Sequence, residues 1–241
     1  MKIIYKDQVK KELAIIIPAY NEEASIKEVL DEWYEVAKAC NGNIVIIDDG
    51  STDQTLPNLV QIATQYPLLI IISKTNSGHA STCLQGYQWA IEEGYEWIFQ
   101  TDSDGQTVAT DFQGFWDNRF DSSFIFGQRV KRGDGKIRYL ISKILKLAIY
   151  IIFKVKVIDA NVPFRLMSAV KLKPYIKQIP ENFFLSNAYL TVLLSKNKEI
   201  TWRKIQFINR QSGVPSVKLI GFFKVGIRVI TEFWKHRCNL K

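Results

Sequence analysis

Leu13-Ala14-Ile15-Ile16-Ile17-Pro18 is a run of five apolar residues that ends on a proline. Its shortness and its isoleucine content predict a buried strand with a sharp stop at Pro18. Residues 24–40 follow with Ile26, Val29, Leu30, Trp33, Val36 and Ala37 at helical spacing and acidic residues on the other face, and Asn41-Gly42-Asn43 ends that helix. The same alternation recurs outward. It predicts a strand at 44–47, a helix at 52–66, a strand at 68–72, a helix at 81–92 and a strand at 97–100 that runs out to Asp102. Beyond a less regular stretch come a strand at 125–130, a turn at Gly133-Asp134-Gly135 and a helix at 137–153. Strands and helices alternating at this spacing predict an α/β fold, a mostly parallel, doubly wound sheet flanked by helices. In such sheets ligands bind at the carboxyl ends of the strands. Residues 18–21, 48–51 and 102–106, all polar or acidic, are predicted to line that edge.

A chain of 241 residues fits one domain, 1–241, with a substantial core. Its net charge of +8 conceals a division. Residues 1–121 hold 8 Lys/Arg against 19 Asp/Glu, a net −11, and residues 122–241 hold 24 against 5, a net +19. The second half is therefore expected to face an anionic partner. Helix 137–153 places Arg138, Ser142, Lys146, Tyr150 and Lys154 four residues apart. Near the end, Phe222, Val225, Val229 and Phe233 lie opposite Lys224, Arg228, Thr231 and Lys235. Both read as basic amphipathic helices suited to a membrane surface, and neither is apolar over the ~20 residues a membrane span needs. The amino terminus is charged through Glu12 and lacks a signal's apolar core, so a cytoplasmic protein, peripheral on the membrane's cytoplasmic face, is expected. Cys40, Cys83 and Cys238 are widely spaced and read as inert thiols rather than disulfide or zinc partners.

Asp102-Ser103-Asp104-Gly105-Gln106 is the sharpest chemical signal. Two carboxylates two residues apart at a strand end would share one hard divalent cation, Mg²⁺ or Mn²⁺, with a substrate diphosphate, and Gln106 would add a neutral oxygen. A calcium loop is excluded, because Thr107 and Gln113 stand where glycine and glutamate are required. In Asp48-Asp49-Gly50-Ser51 a carboxylate would accept hydrogen bonds from a base or ribose while Gly50 allows close backbone approach; Ser51 or Thr52 would cap the next helix. No dinucleotide or phosphate-loop glycine pattern is present, and two histidines make a histidine metal site unlikely.

Taken in order, residues 15–22, 48–53, Asn76-Ser77-Gly78-His79 and 102–106 resemble the family 2 glycosyltransferases, nearest the dolichyl-phosphate mannosyltransferase branch. The resemblance continues through Gly127-Gln128-Arg129, residues 159–165 and residues 210–216. It implies a GT-A fold, an inverting transfer from a nucleotide-diphosphate sugar and a bound Mg²⁺ or Mn²⁺. By the family pattern Pro18, Tyr20 and Glu22 edge the nucleoside pocket, Asp49 holds the base, and Asp102, Asp104 and Gln106 hold metal and diphosphate. Asp104, Arg129, Asp159 and Arg165 are the candidates for catalytic roles, with Arg129, Arg165 and Arg210 as phosphate clamps.

Members that extend sugars place an acidic base near the segment that here reads Asn182-Phe183-Phe184-Leu185-Ser186-Asn187, which carries no acid after Glu181. A phosphate acceptor is already anionic and needs no base, so polyprenyl phosphate is the expected acceptor, with Asp159 or Glu181 as the base otherwise. Extension of a saccharide or glycolipid is the alternative. A nucleotidyltransferase is disfavoured because residues 18–25 have no glycine and no basic residue. A nucleic-acid-binding module is disfavoured because the acidic half would repel a phosphate backbone.

Overall fold

The structure is a computed structural model and describes residues 1–130, 135–180, 183, 185–208 and 231–235. In chain order the elements are β1 (Lys2–Lys6), β2 (Leu13–Ala19), α1 (Ile26–Ala39), β3 (Gly42–Asp48), α2 (Thr55–Ile62), β4 (Leu69–Ser73), α3 (His79–Glu92), β5 (Trp97–Thr101), α4 (Phe112–Asp117), β6 (Phe124–Arg129), α5 (Gly135–Phe153), β7 (Phe164–Ser168), α6 (Ala169–Ile176), α7 (Ser186–Lys196) and β8 (Ile200–Ile205). One eight-stranded sheet carries them in the order β1-β4-β3-β2-β5-β7-β6-β8.

The sheet is parallel through β4, β3, β2 and β5. β1 joins the β4 edge antiparallel, and β7 runs antiparallel between β5 and β6. Every residue of β2 and β3 is buried, as expected of strands covered on both faces. Pro18 does not end its strand: it pairs with Ile47, and β2 runs on to Ala19. The pairing of β2 with β5 stops at Ile16, so at Pro18 the missing N–H falls where β2 is paired only with β3.

The core binds the two halves together. Trp33 of α1 packs on Phe99 of β5, Phe112 of α4 and Phe164 of β7, with ring centroids 5.1, 6.1 and 6.0 Å away. α3 lies close to the sheet because Gly86 has no side chain: a Cβ there would stand 2.6 Å from Ile16 Cγ2 and 2.7 Å from Ile47 Cδ1.

The registers bring the predicted sites to one edge. Ala19 pairs with Asp48, Asp48 with Ser73, Thr101 with Phe164, and Arg129 with Ile205. Because β7 is reversed, the loop that enters it, residues 159–163, meets the carboxyl ends of β2, β3, β5 and β6. Among the described residues no helix is long and apolar enough to cross a membrane.

Candidate active site

Asp49, directly after β3, is 2 % exposed. Its Oδ1 accepts the Ser77 N–H at 2.9 Å and an ion pair from Lys74 Nζ, and its Oδ2 accepts the Gly78 N–H at 2.9 Å. The residue expected to hold a base therefore first holds its own chain, the loop between β4 and α3. Gly50 follows the same pattern. At φ 71° it lets the backbone approach, but what approaches is Asn76, whose N would lie 3.0 Å from an added Cβ. Lys74 was not singled out from sequence; its signal is a lysine directly after the buried strand β4, opposite the Asp48-Asp49 pair.

The β2–α1 loop is laced to the β3–α2 loop. Asn21, at φ 54°, donates its N–H to Ser51 Oγ at 3.0 Å and accepts the Thr52 N–H on Oδ1 at 2.8 Å. Glu22 donates its N–H to Thr55 Oγ1 at 2.8 Å, and its Oε2 accepts the Ser25 hydroxyl at 2.9 Å. Pro18 and Glu22 are thus buried supports, whereas Tyr20 is exposed at the rim. Neither Ser51 nor Thr52 caps α2: the first-turn N–H of Thr55 goes to Asp53 Oδ1 at 3.0 Å, because the helix begins later than predicted.

β5 ends at Thr101, so Asp102 to Gly105 form a turn and strand alternation does not set their directions. Asp102 Oδ1 takes the Gln100 Nε2 amide at 3.1 Å and lies 2.9 Å from His79 Nε2. Its Oδ2 has no hydrogen bond among the described residues. Asp104, partly exposed, accepts the Gln106 N–H on Oδ1 at 3.2 Å and helps line a hollow of about 220 Å³ with Ser25, Glu28 and Ile208. Gln106 is buried, and its amide nitrogen donates to the Ile208 carbonyl at 3.1 Å. It clasps the turn to the segment after β8 through its side chain and through the Ile208 N–H to its own carbonyl at 2.9 Å.

The donor set suits a hard cation. Asp102 and Asp104 offer carboxylate oxygens, and among the described residues no group of three or more His, Cys, Asp or Glu side chains converges on a metal position. A cation here would have to complete its shell with water and substrate oxygens, the habit of Mg²⁺ and Mn²⁺ beside a diphosphate rather than of a closed protein cage.

In the second half, Arg129 grips Asp159 bidentately, Nε to Oδ2 at 2.7 Å and Nη2 to Oδ1 at 2.8 Å, and its guanidinium stacks 5.0 Å from the centre of the Phe207 ring. Arg165 departs from the phosphate-clamp expectation. It is fully buried, and its guanidinium donates to the Val162, Asn187 and Ala160 carbonyls at 2.8, 2.9 and 3.2 Å and lies on the Phe126 ring. It is the second residue of β7, between β5 and β6, and it is buried where carbonyls replace water as partners. Arg210, Glu181 and most of the second amphipathic segment lie outside the described residues, as does Cys238. Asn187, at the start of α7, is buried and turned to Tyr87 and Gln100. Gln100 and Asn187 were missed from sequence, although a glutamine ending the apolar run Trp97-Ile98-Phe99 is itself a signal.

Comparison with known proteins fits this geometry. The dolichyl-phosphate beta-glucosyltransferase ALG5A of Trichomonas vaginalis is 30% identical over 109 residues, 42% of this chain and 33% of that protein. The dolichol-phosphate mannosyltransferase of Pyrococcus furiosus is 28% identical over 78 residues, 32% of this chain and 22% of that protein. The chain thus spans a third or less of the length of these two curated relatives. Among solved structures, glucosyl-3-phosphoglycerate synthase from Mycobacterium tuberculosis superposes with a TM-score of 0.69 at 16% identity, over 96% of this chain and 81% of that one, which establishes the GT-A fold. The family model for glycosyl transferase family 2 matches residues 14–173, which include the loops after β2, β3 and β5 and the Arg129–Asp159 pair, and the chain belongs to that family.

Proposed function

We propose that this protein transfers a sugar from a nucleotide-diphosphate donor to a polyprenyl phosphate at a membrane surface. The observation that carries the donor half of this reading is the Asp102–Asp104 turn at the carboxyl end of β5, on the same sheet edge as the Asp48-Asp49 end of β3, with β2 between them. Asp102 and Asp104 would hold a divalent cation, Mg²⁺ or Mn²⁺, with Gln106 bracing their turn; when bound, that cation neutralises charge on the departing nucleotide diphosphate. Asp49 and Lys74 shape the loop under the base, and Tyr20 at the rim is placed to cover it.

The acceptor side is supported by what its acids do. Asp159, the candidate base, has both carboxylate oxygens engaged by Arg129, Oδ2 by Nε and Oδ1 by Nη2. Glu181, the other candidate, lies outside the described residues. An acceptor that arrives as a phosphate brings its own nucleophilic oxygen and makes no demand on either residue.

α5 supports the membrane contact. Ile144, Leu147, Tyr150 and Ile151 are exposed on it, while Ala148 and Ile149 on the other side are buried. Lys143 and Lys154 stand exposed beside that apolar face, an arrangement that suits the boundary of an anionic bilayer.

The test is a thermal-shift panel of UDP, GDP, dTDP and CDP, each with and without Mn²⁺, followed by transfer from the matching nucleotide sugar to a short polyprenyl phosphate. A Mn²⁺-dependent rise with one diphosphate and formation of a lipid-linked sugar are expected. A folded sample that responds to none of the four would sink the donor assignment.

A further inference from the structure

We propose that Gln100, held in place by Asn187 and Tyr87, is a positioning residue that aims the Asp102 carboxylate; this rests on the reading of Asp102 as a cation ligand. Asp102 stands beyond the last residue of β5, in a turn that does not itself fix the carboxylate's rotation. Gln100 Nε2 at 3.1 Å and His79 Nε2 at 2.9 Å both meet Oδ1, which leaves Oδ2 facing away from them.

Gln100 is fully buried, and a primary amide in a core must have both ends matched. Its Oε1 lies 3.1 Å from the Tyr87 hydroxyl and 3.5 Å from Asn187 Nδ2, and the Tyr87 hydroxyl is 2.9 Å from Asn187 Oδ1. Burial first of all holds the Tyr87 phenol protonated, its pKa well above the ordinary value, so its single hydrogen is shared between the side-chain oxygens of Gln100 and Asn187. These contacts fix which way the Gln100 amide faces. Turned over, it would set Oε1 against a carboxylate oxygen and two donors against each other; as it stands, the nitrogen must face Asp102.

The same chain of bonds continues into the second half. The Asn187 main-chain carbonyl accepts Arg165 Nη1 at 2.9 Å and the Thr191 hydroxyl at 2.8 Å, and Arg165 reaches the Ala160 carbonyl in the turn after Asp159. Two ends of the sheet edge, the Asp102 carboxylate and the turn that follows Asp159, are thereby anchored to one buried network. This gives Arg165 and Asn187 a task that needs no contact with substrate.

The experiment is Mn²⁺ binding, read by the electron paramagnetic resonance of free Mn²⁺, in the presence of saturating UDP or GDP. Gln100→Met keeps the length of the side chain and removes both polar ends. It is expected to weaken nucleotide-dependent Mn²⁺ binding by about 10-fold or more, the loss typical when the partner of a metal ligand is removed. Tyr87→Phe, which deletes a single hydroxyl, is expected to weaken it in the same direction by less, and it carries the test if Gln100→Met fails to fold. Wild-type Mn²⁺ affinity in the folded variants, with only the melting temperature lowered, would reduce the network to core satisfaction and overturn the inference. Wild-type protein that takes up no Mn²⁺ with either nucleotide would instead remove the cation-site reading, and the inference with it.

Discussion

Asp49 and Lys74 form an ion pair whose side chains are only 3% and 6% exposed. Taking a lysine away from a buried carboxylate leaves that charge without its counterion. Lys74→Met is therefore expected to destabilise the fold by about 3 kcal/mol, near the lower end for buried pairs because the Ser77 and Gly78 N–H groups still serve Asp49. Urea unfolding measures it, and a loss under about 1 kcal/mol would show that the pair is not a structural support. Asp104 is the opposite case. It is partly exposed and its loss leaves the core intact, so Asp104→Ala should keep the wild-type melting temperature while losing the Mn²⁺-dependent response to nucleotide and all sugar transfer. At this scale the sequence was legible where a residue type announces its chemistry, as the Asp102–Asp104 pair does. It misled where chemistry depends on direction: Arg165 was expected to clamp phosphate, and only the strand β7, which the sequence did not reveal, shows it buried in the core. Cys40, expected to be inert, is free and buried. Burial pushes its thiol up to about 11, so it should resist alkylation of the native protein at pH 8 and react once the chain is unfolded, as site-resolved mass spectrometry can establish.

Elements with strong periodicity were found from the sequence within a few residues. The isoleucine runs of β2, β3 and β4 and the apolar stripe of α1 can bury their surface in only one way. The missed elements have weaker patterns for physical reasons. β1 is an exposed edge strand, Lys-Ile-Ile-Tyr-Lys, that needs pairing on one side only. β7 is a short insertion whose second residue, Arg165, breaks the apolar run, and β8 alternates irregularly along the other edge. α7 is buried nearly all round, so it has almost no polar face to mark its period. Contact between elements is as tight as the glycine at α3 indicates. Gly86→Val would drive methyl groups into Ile16 and Ile47, and overpacking of this kind is expected to cost about 1–3 kcal/mol. A variant as stable as wild type in urea would mean that α3 can lift from the sheet freely.

Along the sequence, a net −11 in residues 1–121 contrasts with a net +19 in residues 122–241, and the proposed contact with an anionic surface rests on the second half. On the basic half, α5 offers apolar burial and charge together, and the two can be separated. Each lysine near an anionic bilayer contributes about 1 kcal/mol at ordinary ionic strength. Screening shrinks the reach of that term from about 10 Å at 0.1 M salt to about 3 Å at 1 M. Binding to vesicles with a third phosphatidylglycerol should therefore fall at least about 10-fold between 0.1 M and 1 M NaCl, since about 1.4 kcal/mol corresponds to that factor. Vesicles of phosphatidylcholine alone should bind weakly at every salt. Leu147→Lys with Ile151→Lys adds positive charge and removes apolar burial at two exposed positions, so it leaves the melting temperature unchanged. If α5 lies in the interface, that double variant binds anionic vesicles less well despite its extra charge. If charge alone holds the protein to the membrane, it binds better, and the apolar face of α5 belongs to some other contact.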